Sequence, residues 1–345
     1  MAGVAQLVAI GAQDKFLTGN PTVSFFRQKY NHHTNFSMTQ KKMVIQGTQA
    51  IGQSSIINVD HTGDLLSGIR FVATDEGQNT ETRSNTQWQA IISSVELLIG
   101  DQVIDKHTSE FDKEIAPDVF AKNLGESELG GQLDEFYPLR FSCFEHISSA
   151  LPIIALQYHD VRIRINWATS GTFAPSTETV EAYAAWIHLD TIERTFFAEN
   201  DLTYIITQVQ QATASGTKIQ DLMFNNPVKF IAMNNFSGNF FNRANKLKLQ
   251  VNGVDLEDYT WVVPNFTAMT SAYHAPFSDG NTIAYMLYPF CLNTSSHQPS
   301  GSLNFSRLDS VRLFSSVYDI TSDTYGVNYN VLKVSNGMGG LLFSD

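Results

Sequence analysis

An all-β fold, with one sandwich-like or jelly-roll unit present twice in tandem, is what this sequence predicts. Three observations lead there. The 24 Phe, 12 Tyr and 4 Trp, set among many Val, Ile and Thr, favour extended backbone. The apolar runs are short and are separated by clusters of Gly, Asn, Pro and Ser. Finally, three landmarks recur in the same order at nearly one offset. VELLIGDQVIDK, with a hairpin signal at Ile99-Gly100-Asp101, is echoed by LKLQVNGVDLED, with its turn at Asn252-Gly253. Tyr137-Pro138-Leu139 is echoed by Tyr288-Pro289-Phe290, and HDVRIRI around Val161 by DSVRLF around Val311. Any one of these is weak; three in order argue for duplication of a single domain.

Taken along the chain, strands are expected at KMVIQG (42–47), GIRFVAT (68–74), SVELLIG (94–100), PLRFSCF (138–144), YHDVRIRINW (158–167) and AAWIHLDTI (184–192). WQAIISSV (88–95) has apolar residues at helical spacing and reads as a short helix leading into a strand. The small and turn-forming residues of QQATASGTKIQ read as a linker. Beyond it, strands are expected at VKFIAM (228–233), KLKLQV (246–251), AYMLYPFCL (284–292), SLNFS (302–306), SVRLF (310–314) and NYNVLKV (328–334). The resulting division is an N-terminal arm over 1–24, a first unit over 25–209, a linker over 210–222 and a second unit over 223–345. Within the arm, Val4, Leu7 and Val8 fit one turn of an amphipathic helix, read as a terminal arm that packs on a neighbour or frays.

Composition excludes several roles. With 22 basic against 34 acidic residues the formal charge is −12, and no basic arm or large basic patch offers itself to phosphates. No apolar run approaches the roughly 18–20 residues of a membrane-spanning helix. The start of the chain lacks the basic flank of a secretory signal, and Ala2 stands where N-myristoylation needs Gly. Cys143 and Cys291 are far apart, without partners at metal-ligand spacing, which predicts free thiols and a reducing compartment.

The motifs of common chemistry are also missing. There is no GxSxG nucleophile elbow, no GxxxxGK[ST] phosphate loop and no GxGxxG turn. The nine histidines are scattered apart from His32-His33, which reads as a solvated loop. Carboxylate neighbours such as Glu126/Glu128, Asp134/Glu135 and Glu257/Asp258 are ordinary in an acidic chain. The inventory favours a structural or binding role.

One stretch raises a question of its own: HQPSGSLNFSRLDSVRL, from His297 to Leu313. In a regular strand Leu303, Phe305, Val311 and Leu313 share a face, yet Arg307 and Asp309 fall in the middle of it. Either a bulge near Arg307–Leu308 resets the alternation and turns both charges outward, or the charges are buried as a pair that fixes register or a seam. The matching positions of the first half, Gln157 and His159, form no such pair.

The segments QLVAIGAQDKFLTGNPTVSFFRQKYNHHTNFSM (6–38), SSVELLIGDQVIDKH (93–107), ALPIIALQYHDVRIRI (150–165), YPFCLNTSSHQPSGSLNFSRLDSVRL (288–313) and NYNVLKVSNGMGGLLFSD (328–345) run from one end of the chain to the other. Together they resemble the double jelly-roll major capsid proteins of nucleocytoplasmic large DNA viruses, the family of phycodnavirus, iridovirus and mimivirus members. Against that family the chain is short, leaving little room for long outer insertions. VKFIAMNN (228–235), read as the first strand of the second roll, lacks the Trp common there.

The resemblance implies two eight-stranded jelly rolls side by side with a short N-terminal arm. It implies a homotrimer forming a pseudo-hexagonal capsomer of an icosahedral shell, since two like domains per chain let threefold symmetry present six similar edges. It further implies neighbouring capsomers and minor capsid proteins as partners, an internal membrane beneath the shell, no direct nucleic-acid binding, and assembly in the host cytoplasm into the virion capsid. No enzyme activity, no cofactor, and no catalytic or metal residues are expected. Arg307, Asp309, Asn252, Gly253 and Gly100 are the residues expected to set structure or interfaces. The alternatives are a minor capsid paralogue of the same fold, or a carbohydrate-binding or carbohydrate-processing double β-sandwich.

Overall fold

Alternation of burial shows how these residues make strands. In VRIRINW (Val161–Trp167), Val161, Ile163, Ile165 and Trp167 are buried while Arg162, Arg164 and Asn166 stand half-exposed on the other face. The computed structural model describes residues 2–75, 88, 90–120, 136–169, 178–234, 240–275, 285–296 and 298–343. It divides into two units, Met1–Asn35 and Phe36–Asp345.

The small unit holds helices Ala2–Val8 and Asp14–Thr18 and contains no strand among its described residues. Its large apolar side chains, including Leu7, Phe16, Phe25 and Phe26, are exposed. The small unit ends at Asn35, and the first strand starts at Phe36.

In the large unit the first strands are β1 (Phe36–Met43), β2 (Ser54–Asn58), β3 (Leu65–Asp75), β4 (Ile92–Ile99), β5 (Gln102–Thr108), β6 (Phe136–Pro138), β7 (Val161–Trp167) and β8 (Glu178–Leu189). They form two antiparallel sheets, in the orders β1-β8-β3-β6, with the two-residue strand Leu151–Pro152 also on β3, and β2-β7-β4-β5, extended beyond β2 by the two-residue strand Ile45–Gln46. The following strands are β9 (Leu202–Ala212), β10 (Ile219–Asp221), β11 (Pro227–Asn234), β12 (Lys246–Val251), β13 (Val254–Asp255), β14 (Tyr285–Pro289), β15 (Val311–Ser315) and β16 (Thr324–Ser335). Their orders are β9-β16-β11-β14 and β10-β15-β12-β13. Adding eight to each label of the first half gives the second. Each half is an eight-stranded jelly roll, and each recurring landmark falls on the same strand of its roll: the Tyr-Pro pairs end β6 and β14, and the Val-Arg pairs open β7 and β15.

Between the sheets lie two apolar cores. Phe71, Val95, Leu97, Ile163, Ile165 and Trp186 are among the first; Ile231, Met233, Leu247, Leu249, Met286 and Leu313 are among the second. The Trp167 indole N–H, buried with its ring, donates to Ser55 Oγ at 2.9 Å, which removes the cost of an unpaired donor.

Several expectations are corrected. PLRFSCF is strand only as far as Pro138. Ser142–Glu145 turns helical, and the Ser149 hydroxyl closes that turn on the Ser142 and His146 carbonyls. AAWIHLDTI ends its strand at Leu189. Asp190 then caps helix Thr191–Glu199, with Glu193 in the first turn where the macrodipole favours it.

The supposed linker 210–222 supplies the end of β9 and all of β10, so strands of the second sheets begin upstream of 223. The cause is polarity: Gln208 and Gln210 serve as hydrogen-bonding groups of a strand that needs few apolar residues, Gln208 Nε2 donating to the Ile104 carbonyl and Gln210 Nε2 to that of Asn225. VKFIAM is accordingly the third strand of its half, not the first. WQAIISSV keeps its helical start only before Ile92, where β4 begins.

Candidate assembly interface

Both expected hairpin turns form, and by the same chemistry. Gly100 (φ 56°) with Asp101 (φ 65°) joins β4 to β5, and Asn252 (φ 49°) with Gly253 (φ 80°) joins β12 to β13. Two consecutive positive-φ residues match the right-handed twist of the flanking strands. Their surroundings differ. A Cβ on Gly253 would meet nothing within 4 Å, whereas one on Gly100 would fall 2.5 Å from the His159 ring. That ring also hydrogen-bonds the Gly339 backbone at 2.8 Å, tying the first turn to the C-terminal hairpin strand Met338–Leu341.

The opening of the His297–Leu313 stretch, at His297, lies outside the described residues; its centre answers the question raised above. After the two-residue strand Leu303–Asn304, the Asn304 side chain accepts from the Ser306 N–H and starts a 3₁₀ turn, Phe305–Arg307. The turn resets the alternation. Phe305 and Val311 are buried, Leu308 packs beside them, and Arg307 and Asp309 are exposed. A helical turn therefore does what a bulge was expected to do, and the buried pair is absent from the single chain.

Two of the singled-out residues, Asn252 and Asp309, do come together here. Asn252 Oδ1 accepts from the N–H groups of Asp309 (2.8 Å) and Ser310 (3.1 Å), so the side chain of the turn holds the strand entry. Gly100 stands apart from them, at the junction of the halves. Asn252→Ala is expected to destabilise the chain by about 1–2 kcal/mol, because two hydrogen bonds of an exposed turn are lost and alanine is strained at a φ of 49°. Asp309→Ala, at an exposed site, is expected to stay within about 0.5 kcal/mol. Urea midpoints of the two variants check the contrast.

The junction between the halves was not anticipated, and it is extensive. Helices Ser109–Glu114 and Ala116–Val119, which follow β5, lay Phe111, Ile115, Val119 and Phe120 on the outer face of the β9-β16-β11-β14 sheet, against Phe230, Leu287, Tyr325 and Val327. Leu202, Ile206, Leu332 and Val334 join the core of the first half. Polar links run in parallel: Asp105 Oδ1 accepts from Val209 N–H at 3.0 Å, and Thr108 Oγ1 bonds Tyr325 Oη at 3.0 Å.

At the centre of this junction lies a charged cluster. His107 bonds Asp105 through Nε2 (2.9 Å) and Asp112 through Nδ1 (2.8 Å), while Tyr137 Oη donates to Asp112 at 2.7 Å. Phe141 and Phe111 wall the imidazole at 4.9 and 5.5 Å between ring centres. Burial alone would lower the His107 pKa, but the two carboxylates that flank it lift it to about 10, so the ring is an imidazolium donating from both nitrogens. Nearby, burial pushes Glu145 up to about 7, against the pull of Lys229, His107 and Arg140.

With side-chain exposures of 2–4%, His107, Asp105 and Asp112 are closed to any substrate, and the cluster works as a structural lock. Among the described residues no three His, Cys, Asp or Glu are grouped to hold a metal ion, and both cysteines are free and buried. Sequence reasoning passed over His107. The available signal was the i, i+2 pairing of Asp105 and His107 on one strand face, followed by the Thr108 N-cap that places Asp112 in the first helical turn.

Residues 24–191 match the family described as major capsid protein N-terminus. The chain is 31% identical to the major capsid protein of Pyramimonas orientalis virus, covering 99% of both chains. It is 28% identical to that of Paramecium bursaria Chlorella virus 1, also over 99% of both. Capsid protein 1 of Acanthamoeba polyphaga mimivirus is 31% identical over 69% of this chain and 49% of its own. Among solved structures, a chain of the PBCV-1 virus capsid superposes with a TM-score of 0.75 at 24% identity, covering 93% of this chain and all of that one. The Faustovirus major capsid protein gives 0.66 at 11% identity, over 94% of both. These likenesses identify the double jelly roll.

Proposed function

Since this chain belongs to the major capsid protein family of large DNA viruses and is a structural protein of the virion capsid, we propose that three copies close into a pseudo-hexagonal capsomer. The observation that carries the reading is the strand order, which occurs twice in one unit and leaves the two rolls joined by a broad apolar junction. A ring of three such chains has six similar rolls, the number of edges a hexagonal tile needs.

The proposed domain limits follow the strands: an arm to Asn35, a first roll over 36–189 and a second over 202–341. The exposed aromatic residues of the arm suit packing on neighbouring capsid proteins rather than on solvent. The role is non-enzymatic. Net acidity favours a shell set apart from the genome by an internal membrane, without direct nucleic-acid contact. Cytoplasmic assembly and contacts with minor capsid proteins complete the proposal.

Light scattering coupled to size exclusion tests it. The expected particle has three times the 38.4 kDa chain mass, or a larger multiple of that. A monomer at micromolar concentration overturns the capsomer.

A further inference from the structure

The inside of one chain shows how a roll receives its neighbour. The segment after β5 covers the outer face of the second roll's β9-β16-β11-β14 sheet. The segment after β13 holds the same place in the strand order of its own roll, and it too is helical: a π-helical turn, Asn265–Met269, runs into helix Thr270–His274. Its inward side is satisfied, with Val262, Phe266, Thr267 and Ser271 buried. On its outward side Lys246 Nζ lies 4.3 Å from the centre of the Trp261 ring, and no apolar side chain of the core clusters among the described residues covers it. Trp261, Met269 and Tyr273 are 45%, 46% and 78% exposed, and Met269 and Tyr273 stand four residues apart, on one helix face.

The complementary surface is the outer face of the first roll's β1-β8-β3-β6 sheet. Phe71, Ala182, Ala184 and Trp186 point into the core, so Tyr183, Ala185, Arg70 and Val72 point outward by alternation. Ala185 lies at the middle, opposite Gln40 on β1 and Gly68 on β3. Along β1, Phe36 and Met38 are each about half exposed. In the second roll the matching face is buried under two helices; in the first roll, among the described residues, only one end of it is covered, where Phe197 of helix Thr191–Glu199 packs with Leu65, Ile187 and Leu189, while Gln40 is exposed and Ala185 partly exposed.

We infer that the outward side of the 261–274 segment docks on the outer face of the β1-β8-β3-β6 sheet of a second copy, repeating between chains the junction that helices 109–119 make within one. The inference rests on the capsomer reading and specifies its contact. The occupant is a second copy because the chain already displays the donor, the acceptor and the worked example of their union. The contact is heterologous, a knob on one chain and a face on the next, the type that makes a ring when its rotation closes.

Two variants test it: Tyr273→Asp, which spoils the knob, and Ala185→Glu, which spoils the face. Both positions lie outside the cores, so circular dichroism melting curves should match the wild type. Each variant alone is expected to elute as a monomer under conditions where the wild type is trimeric. Mixed in equal amounts they should form a dimer and no trimer, since one intact knob meets one intact face and the remaining pair is spoiled. Trimers of either variant at wild-type concentrations overturn this contact while leaving the capsomer standing. A wild-type monomer overturns both.

Discussion

Replacing His107 with alanine is expected to destabilise the folded chain by about 3–5 kcal/mol, the range for removing one partner of a buried ionic group. The reason is what stays behind. Asp105 and Asp112 are each almost wholly buried, and without the imidazolium two carboxylates face each other across a low-dielectric space. Denaturant unfolding followed by tryptophan fluorescence reads the loss, and a change below about 1 kcal/mol would contradict the charged-lock description. The pH dependence has a definite sign. A folded-state pKa of about 10, raised from 6.5, means the contribution is complete below 6.5 and fades as pH rises through 10. Glu145, raised from 4.5 to about 7, acts in the same direction at lower pH, because its neutral form is the one the fold accepts. His107→Phe should flatten the decline between pH 7 and 10; an unchanged slope would place its origin elsewhere.

Phe111→Ala should cost a similar amount, about 3–5 kcal/mol, through the lost burial and the cavity left behind. Phe111 is fully buried, with ring centres of Tyr325, His107 and Phe120 at 5.2, 5.5 and 5.7 Å. Tyr325 belongs to the second roll, so the cavity opens between the halves rather than inside one. Calorimetry should therefore show the wild-type endotherm shift downward and broaden or split as the rolls uncouple. A simple downward shift with unchanged width would mean that other contacts suffice to keep the rolls cooperative.

How far the fold could be read beforehand depended on which interactions were local. The turns Gly100-Asp101 and Asn252-Gly253 carry their own chemistry, so the duplication and the hairpins were legible. Asp190 with Glu193 offered an equally local helix signal that apolar alternation through Ile187 and Leu189 concealed. β9 was lost for the opposite reason. Its polar side chains gain their meaning from Ile104 and Asn225, residues that no window around 202–212 contains. The lock around His107 shares that character, since Tyr137 reaches Asp112 across the fold. Arg307 and Asp309 drew notice as a pair, yet the informative residue was Asn304, whose side chain turns the chain before either charge is reached.

The arrangement of helices 109–119 also has a mechanical meaning. Because a rigid apolar contact, rather than a pliant tether, holds the rolls in place, each chain resists flexing along its own midline. Whatever curvature a closed container requires must then be absorbed where separate tiles meet.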